Sequence, residues 1–231
     1  MTRRITWAGL PNTWDLGGLD GALGTTRYGR VYRSAMLDAL DEAGRAELYD
    51  GGVRTIIDLR NDDEIAAAAD DPFTRHHRPV EDQSDAEFMA KWPTLDSPGY
   101  YVDVLERWPD LVVGVFGVLA APHTDGEDEA VLVHCAHGRD RTGMITAMLL
   151  QLCAVEREAI VADYLGAVRA IGDHVAATGD AAHIARESPE LDARRSRELE
   201  EFLDVIDTER FLLGNGLSPA DIDRVRGRLL R

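Results

Sequence analysis

This 231-residue sequence has very little cysteine or lysine: two cysteines, and Lys91 as the only lysine. Cys135 and Cys153 are too few for a disulfide framework, which excludes the small cross-linked scaffolds of secreted proteins. The remaining basic residues are all arginine, a bias that GC-rich coding explains more simply than function does. Long hydrophobic runs are missing too. No segment approaches the ~18 uninterrupted apolar residues that a membrane-crossing helix needs. The opening MTRRITWAGLPNTW is basic but lacks the apolar core and small-residue cleavage site of a secretory leader. The expectation is a cytoplasmic chain with no stable membrane insertion. Positive charge is in short supply overall. The net charge of -17 argues against nucleic-acid binding and against docking on an anionic membrane. A polyanionic substrate would need a local basic pocket.

What is present is enough apolar material for a core: 45% of the residues are hydrophobic. The length fits one domain over residues 1–231, or one domain with a helical lid within about 165–210. There is no internal repeat and no low-complexity linker. GTTRYGRVYRSA reads as a hairpin leading into a strand, DEAGRAELYDGG as a helix stopped by two glycines, and VRTIIDLR as a buried strand. NDDEIAAAADDPF reads as a short capped helix ended by Pro72, and HHRPV as another strand. SPGYYVDVLERW and PDLVVGVFGVLAAP read as successive helices, HTDGEDEA as an acidic loop and VLVHC as a strand. The second half is helical. RTGMITAMLLQLCA is apolar on most faces, VEREAIVADYLGAVRAI is amphipathic, and SPELDARRSRELEEFLDVID carries charges at helical spacing, as a solvated helix would. In SPADIDRVRGRLL, Ser218, Pro219 and Asp221 make a helix start. Strands that alternate with helices, followed by helices alone, predict an α/β fold. It is a small, mostly parallel sheet flanked by helices, with an added C-terminal helical part.

The stretch VLVHCAHGRDRTGM carries the chemistry. A strand that ends at Cys135 and a helix that starts near Arg141 turn the intervening backbone N–H groups into one concavity, an anion nest at a helix N-terminus. Gly138 and Gly143 are expected to allow positive φ and close backbone approach. A thiol facing that dipole and Arg141 is expected to ionise readily, and a thiolate attacks phosphorus well. Arg141 can hold two phosphoryl oxygens at once. A phosphoryl group in transfer spreads charge over three equatorial oxygens, which such a cradle fits. The phosphate-binding residues would be Ala136, His137, Gly138, Arg139, Asp140 and Arg141.

HCAHGRDRTG resembles the catalytic loop of protein-tyrosine phosphatases. It is closest to the atypical bacterial tyrosine and phosphoinositide phosphatases whose loop reads HCxAGKDRTG. NTWDLGG, VYRSAMLDAL, TIIDLRNDDE, IVADYL and GLSPADIDRVRGRLL are similar, in the same order, to other segments of that family. Arg139, His137 and Trp14 depart from its pattern, where lysine, alanine and arginine are usual. The resemblance implies a tyrosine-phosphatase-like fold. It also implies a cysteine-dependent phosphomonoesterase that works through a phosphocysteine, with no metal and no organic cofactor. Its substrates would be phosphotyrosine or phosphoinositide-like, whether protein, lipid head group or small molecule. A phosphatase for a soluble ester, a phospho-ligand-binding module and an arsenate reductase are the alternatives.

In this reading Cys135 is the nucleophile and Arg141 grips the phosphoryl oxygens. Thr142 hydrogen-bonds the leaving thiolate or merely starts the helix. His134 supports the loop. Asp140 is the favoured general acid, because related loops carry it before the arginine; Asp103 and Asp96 are the upstream alternatives. Asp58 and Arg60 either reach the rim or form a structural ion pair, and Arg33 and Ser34 read the same way. Cys153 belongs to the core. Adjacent His76 and His77 in a strand face opposite ways, which makes a poor metal site.

Overall fold

The computed structural model describes residues 2–65, 72–121, 129–178 and 188–230. Among them, β1 (Arg4–Trp7), β2 (Leu10–Asp15), β3 (Val31–Ser34), β4 (Val53–Asp58), β5 (Thr74–His77) and β6 (Ala130–His134) form one sheet in the order β1-β2-β3-β6-β4-β5. Strands β3, β6, β4 and β5 run parallel. The first two strands add an antiparallel hairpin at one edge, which the sequence pattern did not announce. β1 has four residues and β2 carries a proline, so neither makes a β-branched run.

The parallel strands are apolar because both their faces are covered. All five residues of β6, AVLVH, are buried. Val131 and Val133 join the main core with Ile57 of β4. Leu132 joins the opposite layer with Ile56 and Leu48. Leu48 comes from α1 (Glu42–Asp50), whose N-terminus is capped by Asp41 accepting from the Gly44 N–H at 2.8 Å.

The main core is helical on its other side. α2 (Ala86–Lys91), α3 (Tyr101–Arg107) and α4 (Pro109–Ala120) precede β6, and α5 (Asp140–Leu152) follows it. Every residue of α5 except Gln151 is buried, as its sequence requires. α6 (Arg157–Thr178), α7 (Pro189–Val205), α8 (Thr208–Gly214) and α9 (Pro219–Leu230) complete the chain. Before α9, Ser218 and Asp221 cap each other reciprocally: the Ser218 N–H donates to the Asp221 carboxylate at 2.8 Å, and the Asp221 N–H donates to Ser218 Oγ at 3.2 Å.

Three expectations change. α7 is not simply solvated: Arg195, Leu199, Phe202 and Leu203 share one buried face, and Phe202 meets the Tyr101 ring edge-on at 5.3 Å. Residues 61–65 hold a single 3-10 turn, Asp62–Glu64, in place of the start of a helix. The rest of that expected helix, residues 66–71, lies outside the described residues, as do 122–128 of the acidic loop and 179–187 of the expected lid. α2 and α8 were not expected at all.

The register matters for function. Ser34, His134 and Asp58 are cross-strand partners at the C-terminal ends of β3, β6 and β4. Open parallel sheets place ligands just beyond that edge.

Candidate active site

Cys135 follows the last residue of β6 and is buried. The loop after it is held from outside by its carbonyls. The Met36 N–H donates to Ala136 O at 3.0 Å. Asn12 Nδ2 donates to His137 O at 2.9 Å, and Arg33 Nη2 to Gly138 O at 2.8 Å. In a planar trans peptide the N–H points away from the preceding carbonyl. Outward carbonyls at 136, 137 and 138 therefore turn the N–H groups of His137, Gly138 and Arg139 toward the interior of the loop, the arrangement that binds an anion.

Gly138 is the position that makes this wrapping possible. Its φ is +64°, and a Cβ there would lie 2.3 Å from Ser34 O. Gly143 has the close approach without the positive φ. It sits inside α5, and a Cβ there would meet the Tyr164 ring at 2.8 Å.

α5 opens at Asp140, with Arg139 at the N-cap. Arg139 Nε donates to Asp140 Oδ2 at 2.8 Å, and the Tyr101 hydroxyl donates to Asp140 O at 2.8 Å. Arg141 faces two glutamates. It forms a two-pronged ion pair with Glu64, of which the Nη2–Oε1 arm is 2.7 Å. Its Nε lies 3.7 Å from Glu81 Oε1. Burial alone would raise the Glu64 carboxyl, but Arg141 and the Asn61 N–H outweigh it and hold it below the usual range. For Glu81 burial wins: the carboxyl is pushed up despite Arg141 and Gln83.

These groups line a cavity of about 510 Å³. Cys135, Ala136, His137, Arg139, Asp140 and Arg141 form its floor. Glu64, Glu81, Gln83 and Asp96 give polar walls, and Met89, Pro93, Leu95 and Tyr100 give apolar or aromatic ones. The Cys135 sulfur, a ring of N–H donors and a guanidinium thus converge at one helix N-terminus, a place suited to an oxyanion.

A model of the tyrosine phosphatase family matches residues 5–231. The chain belongs to that family. Among its relatives is the "Triple specificity protein phosphatase PtpB" of Mycobacterium tuberculosis, 30% identical over 191 residues, covering 68% of this chain and 67% of PtpB. A "Tyrosine-protein phosphatase" of Nostoc commune is 37% identical over 141 residues, 57% of this chain and 46% of its own length. The chain thus spans about two thirds and about half of these two relatives. The crystal structure of P. aeruginosa TpbA in complex with pTyr aligns with a TM-score of 0.40 at 16% identity, over 83% of this chain and 88% of that one.

Within this phosphatase the sequence-derived residues separate by position. Cys135 to Arg141 surround the cavity, with the Gly138 side held against β3. Thr142 is fully buried behind it, its hydroxyl without a partner among the described residues. His134 is fully buried, and its Nδ1 lies 3.3 Å from Cys135 O. Burial holds its imidazole down at about 4, against the pull of Asp58 3.6 Å from Nε2. Asp58 and Arg60 do not line the cavity. They pair with each other at 2.8 Å, and Arg60 also donates to the Glu64 carbonyl at 3.2 Å, so they touch the site through His134 and Glu64.

Of the three candidate acids, Asp140 and Asp96 line the cavity. Asp103 does not; it accepts from Lys91 Nζ at 2.9 Å and Trp92 Nε1 at 2.8 Å. Arg33 is fully buried between Gly138 O and Asp163 of α6, 2.6 Å from Nη1. Trp14 also stands one layer back, donating to Asn12 Oδ1 at 2.9 Å. His77 Nε2 is 2.8 Å from Arg60 O. Among the described residues no three His, Cys, Asp or Glu side chains gather as a metal site.

Sequence reasoning missed Glu64, Glu81, Gln83 and Tyr100. Glu64 had a signal, since Asn61-x-x-Glu64 is a capping pair and the Asn61 N–H does donate to it at 2.9 Å. Glu81 had none: it lies in an irregular segment after β5, and only the fold turns it inward.

Proposed function

We propose that residues 1–231 act as one cytoplasmic catalytic unit that hydrolyses phosphate monoesters by two successive transfers at Cys135, without metal or organic cofactor. In the first, Cys135 Sγ forms a bond to phosphorus while the ester O–P bond breaks, and Asp140 gives its proton to the departing oxygen. In the second, a water oxygen attacks phosphorus and the S–P bond breaks. The water's proton goes to Asp140, and the thiolate is regenerated beside the Thr142 hydroxyl. Arg141 holds phosphoryl oxygens through both steps. Glu64 takes one N–H from each Nη, and three of its five donors remain.

The observation that carries this reading is the outward hold on carbonyls 136–138, which turns the loop's N–H groups toward Cys135 and Arg141. For the substrate, the walls formed by Met89, Pro93, Leu95 and Tyr100 favour an aryl phosphate such as phosphotyrosine over a bare alkyl ester. A phosphoinositide-like ester is the companion class. A soluble small-molecule ester is the second reading. Glu64, Glu81 and Asp96 in the cavity wall, with a net charge of -17, oppose unaided approach to an anionic lipid surface.

A substrate panel in excess chelator tests both readings. Turnover of p-nitrophenyl phosphate and a phosphotyrosine peptide is expected to be undiminished. Loss of activity in chelator would overturn the metal-free mechanism. A soluble sugar or inositol phosphate that exceeds the peptide in kcat/KM by about tenfold or more, a difference of ~1.4 kcal/mol in transition-state binding, would install the second reading.

A further inference from the structure

Two glutamates in a phosphate pocket are an electrostatic puzzle. Glu64 already neutralises Arg141, yet Glu81 brings a second carboxyl to the same guanidinium. A dianionic phosphoryl group arriving there would meet the N–H donors of the loop together with Glu64, Glu81 and Asp140. The side chain of Glu81 is fully buried. Its Oε1 is occupied, accepting from Gln83 Nε2 at 2.7 Å and facing Arg141 Nε at 3.7 Å. Its Oε2 has no partner among the described residues. Glu81 also lines the cavity with Cys135. A buried carboxylate oxygen left bare is costly, whereas a carboxylic acid O–H there is a donor in need of an acceptor.

Building on the phosphatase reading, we propose that Glu81 is a phosphoryl-binding residue that works as the neutral acid: Oε2–H donates to an oxygen of the bound phosphoryl group, so the site takes its dianion together with one proton. The charged and titratable groups around Glu81 fit this. Burial above all raises its carboxyl, Asp140 and Glu64 add to that, Arg141 and Gln83 oppose it, and the balance is upward. The Tyr100 hydroxyl, also buried and without a partner among the described residues, stands in the same field of Glu81, Asp140, Arg141 and Cys135. No proton leaves Glu81 during the reaction. It differs in this from Asp140, whose proton is transferred.

Sulfate is the probe, because it stays a dianion throughout the range of interest and any linked proton belongs to the protein. The Cys135→Ser chain serves as parent and removes the thiol's own titration. Sulfate affinity, measured by calorimetry between about pH 6 and 9, is expected to fall with rising pH, approaching about tenfold per unit once Glu81 ionises in the free site. Adding Glu81→Gln keeps a donor at that place and should make affinity nearly independent of pH. His137 lines the same cavity and is the rival proton carrier; adding His137→Asn to the parent should leave the pH dependence in place.

Affinity that does not vary with pH in the parent, or a dependence that survives Glu81→Gln, overturns the proposal. So does a dependence abolished by His137→Asn. No sulfate binding down to pH 6, in a parent whose wild type hydrolyses p-nitrophenyl phosphate, overturns it as well. Failure of the phosphatase reading would look different: the wild type itself would then not turn over that ester.

Discussion

The two cysteines bracket one helix and show what position does to a thiol. Both are buried, and they stand 18 positions apart. Cys135 faces the N-terminus of α5, where free N–H groups, Arg139 and Arg141 collect. Cys153 is the C-cap of the same helix, packed in the main core, and burial pushes its thiol up to about 12 despite Arg226. A helix carries partial positive charge at its start and partial negative charge at its end. The same residue type therefore stands where the proposed nucleophile is needed at one end and is a small apolar filler at the other.

Putting the same substitution at both ends should separate them most sharply. Cys135→Ser is expected to lower turnover of p-nitrophenyl phosphate at least about a thousandfold while preserving phosphate binding, since a hydroxyl in that place is a far weaker nucleophile than a thiolate. Cys153→Ser should leave turnover per folded molecule unchanged and cost about 1–3 kcal/mol of stability, because it buries a hydroxyl with no assured partner. Mild peroxide sharpens the contrast, as thiolate character governs oxidation. Mass spectrometry should find Cys135 modified well before Cys153, with phosphate protecting only Cys135. A Cys135→Ser chain that retains a tenth of wild-type turnover, or oxidation that begins at Cys153, would erase the distinction.

The next largest effect belongs to Asp140, at the reactive end. A general acid matters most when the leaving group is poor. Asp140→Asn should therefore slow a phosphotyrosine peptide or an alkyl phosphate by on the order of 10²–10⁴-fold, and an activated aryl phosphate far less. It should also remove the basic limb of the pH–rate profile. Asp96→Asn and Asp103→Asn are the controls. Asp103 is bound to Lys91 and Trp92 away from the cavity and should be silent; Asp96 lines the cavity and is the sterner comparison. Leaving-group dependence in Asp96→Asn with none in Asp140→Asn would move the acid to the upstream wall.

This division of α5 explains what could be read from the sequence. The reactive end is written locally: a strand, a cysteine, five residues and an arginine are contiguous, so the chemistry of HCAHGRDRTG needs no fold to be recognised. The parallel strands were legible for a similar reason, since burial on both faces leaves runs such as VRTIID and AVLVH. The edge hairpin was not, because β1 has only four residues, none of them buried, and β2, LPNTWD, carries a proline and no β-branched run. The supports of the loop were legible only as motifs without roles. Asn12 and Arg33 lie more than a hundred residues from the carbonyls they hold, and no spacing rule connects them. Glu81 was invisible because nothing local distinguishes a glutamate that will be buried from one that will be solvated. For α7 the charge pattern hid an apolar stripe at 199, 202 and 203, which needed Tyr101 beside it to be seen as a packed face.

The smallest expected difference between the two ends concerns acid. His134 sits one residue before Cys135, and nothing comparable adjoins Cys153. Its imidazole titrates at about 4 in the folded chain, held there by burial, and near 6.5 when unfolded. A folded value below the unfolded one means stability that is fully present above about 6.5 and is lost as pH falls through about 4. The shift corresponds to roughly 3 kcal/mol over that window. Glu81 acts with the opposite sign, since its raised carboxyl favours the folded state at low pH and loses that contribution as pH rises. Below the histidine window Asp58 and Glu64, both lowered, add their own losses. The interval from about 6.5 to 5 is therefore where His134 stands out. Glu81 opposes His134 across that interval, so the difference is what reads out: on urea unfolding at steps across it, His134→Asn should lose less stability, or gain more, with falling pH than the wild type and Cys153→Ser do. Equal slopes in all three would mean that the imidazole does not enter the folded core neutral. The reactive end of α5 would then owe none of its acid sensitivity to the residue that braces the Cys135 carbonyl.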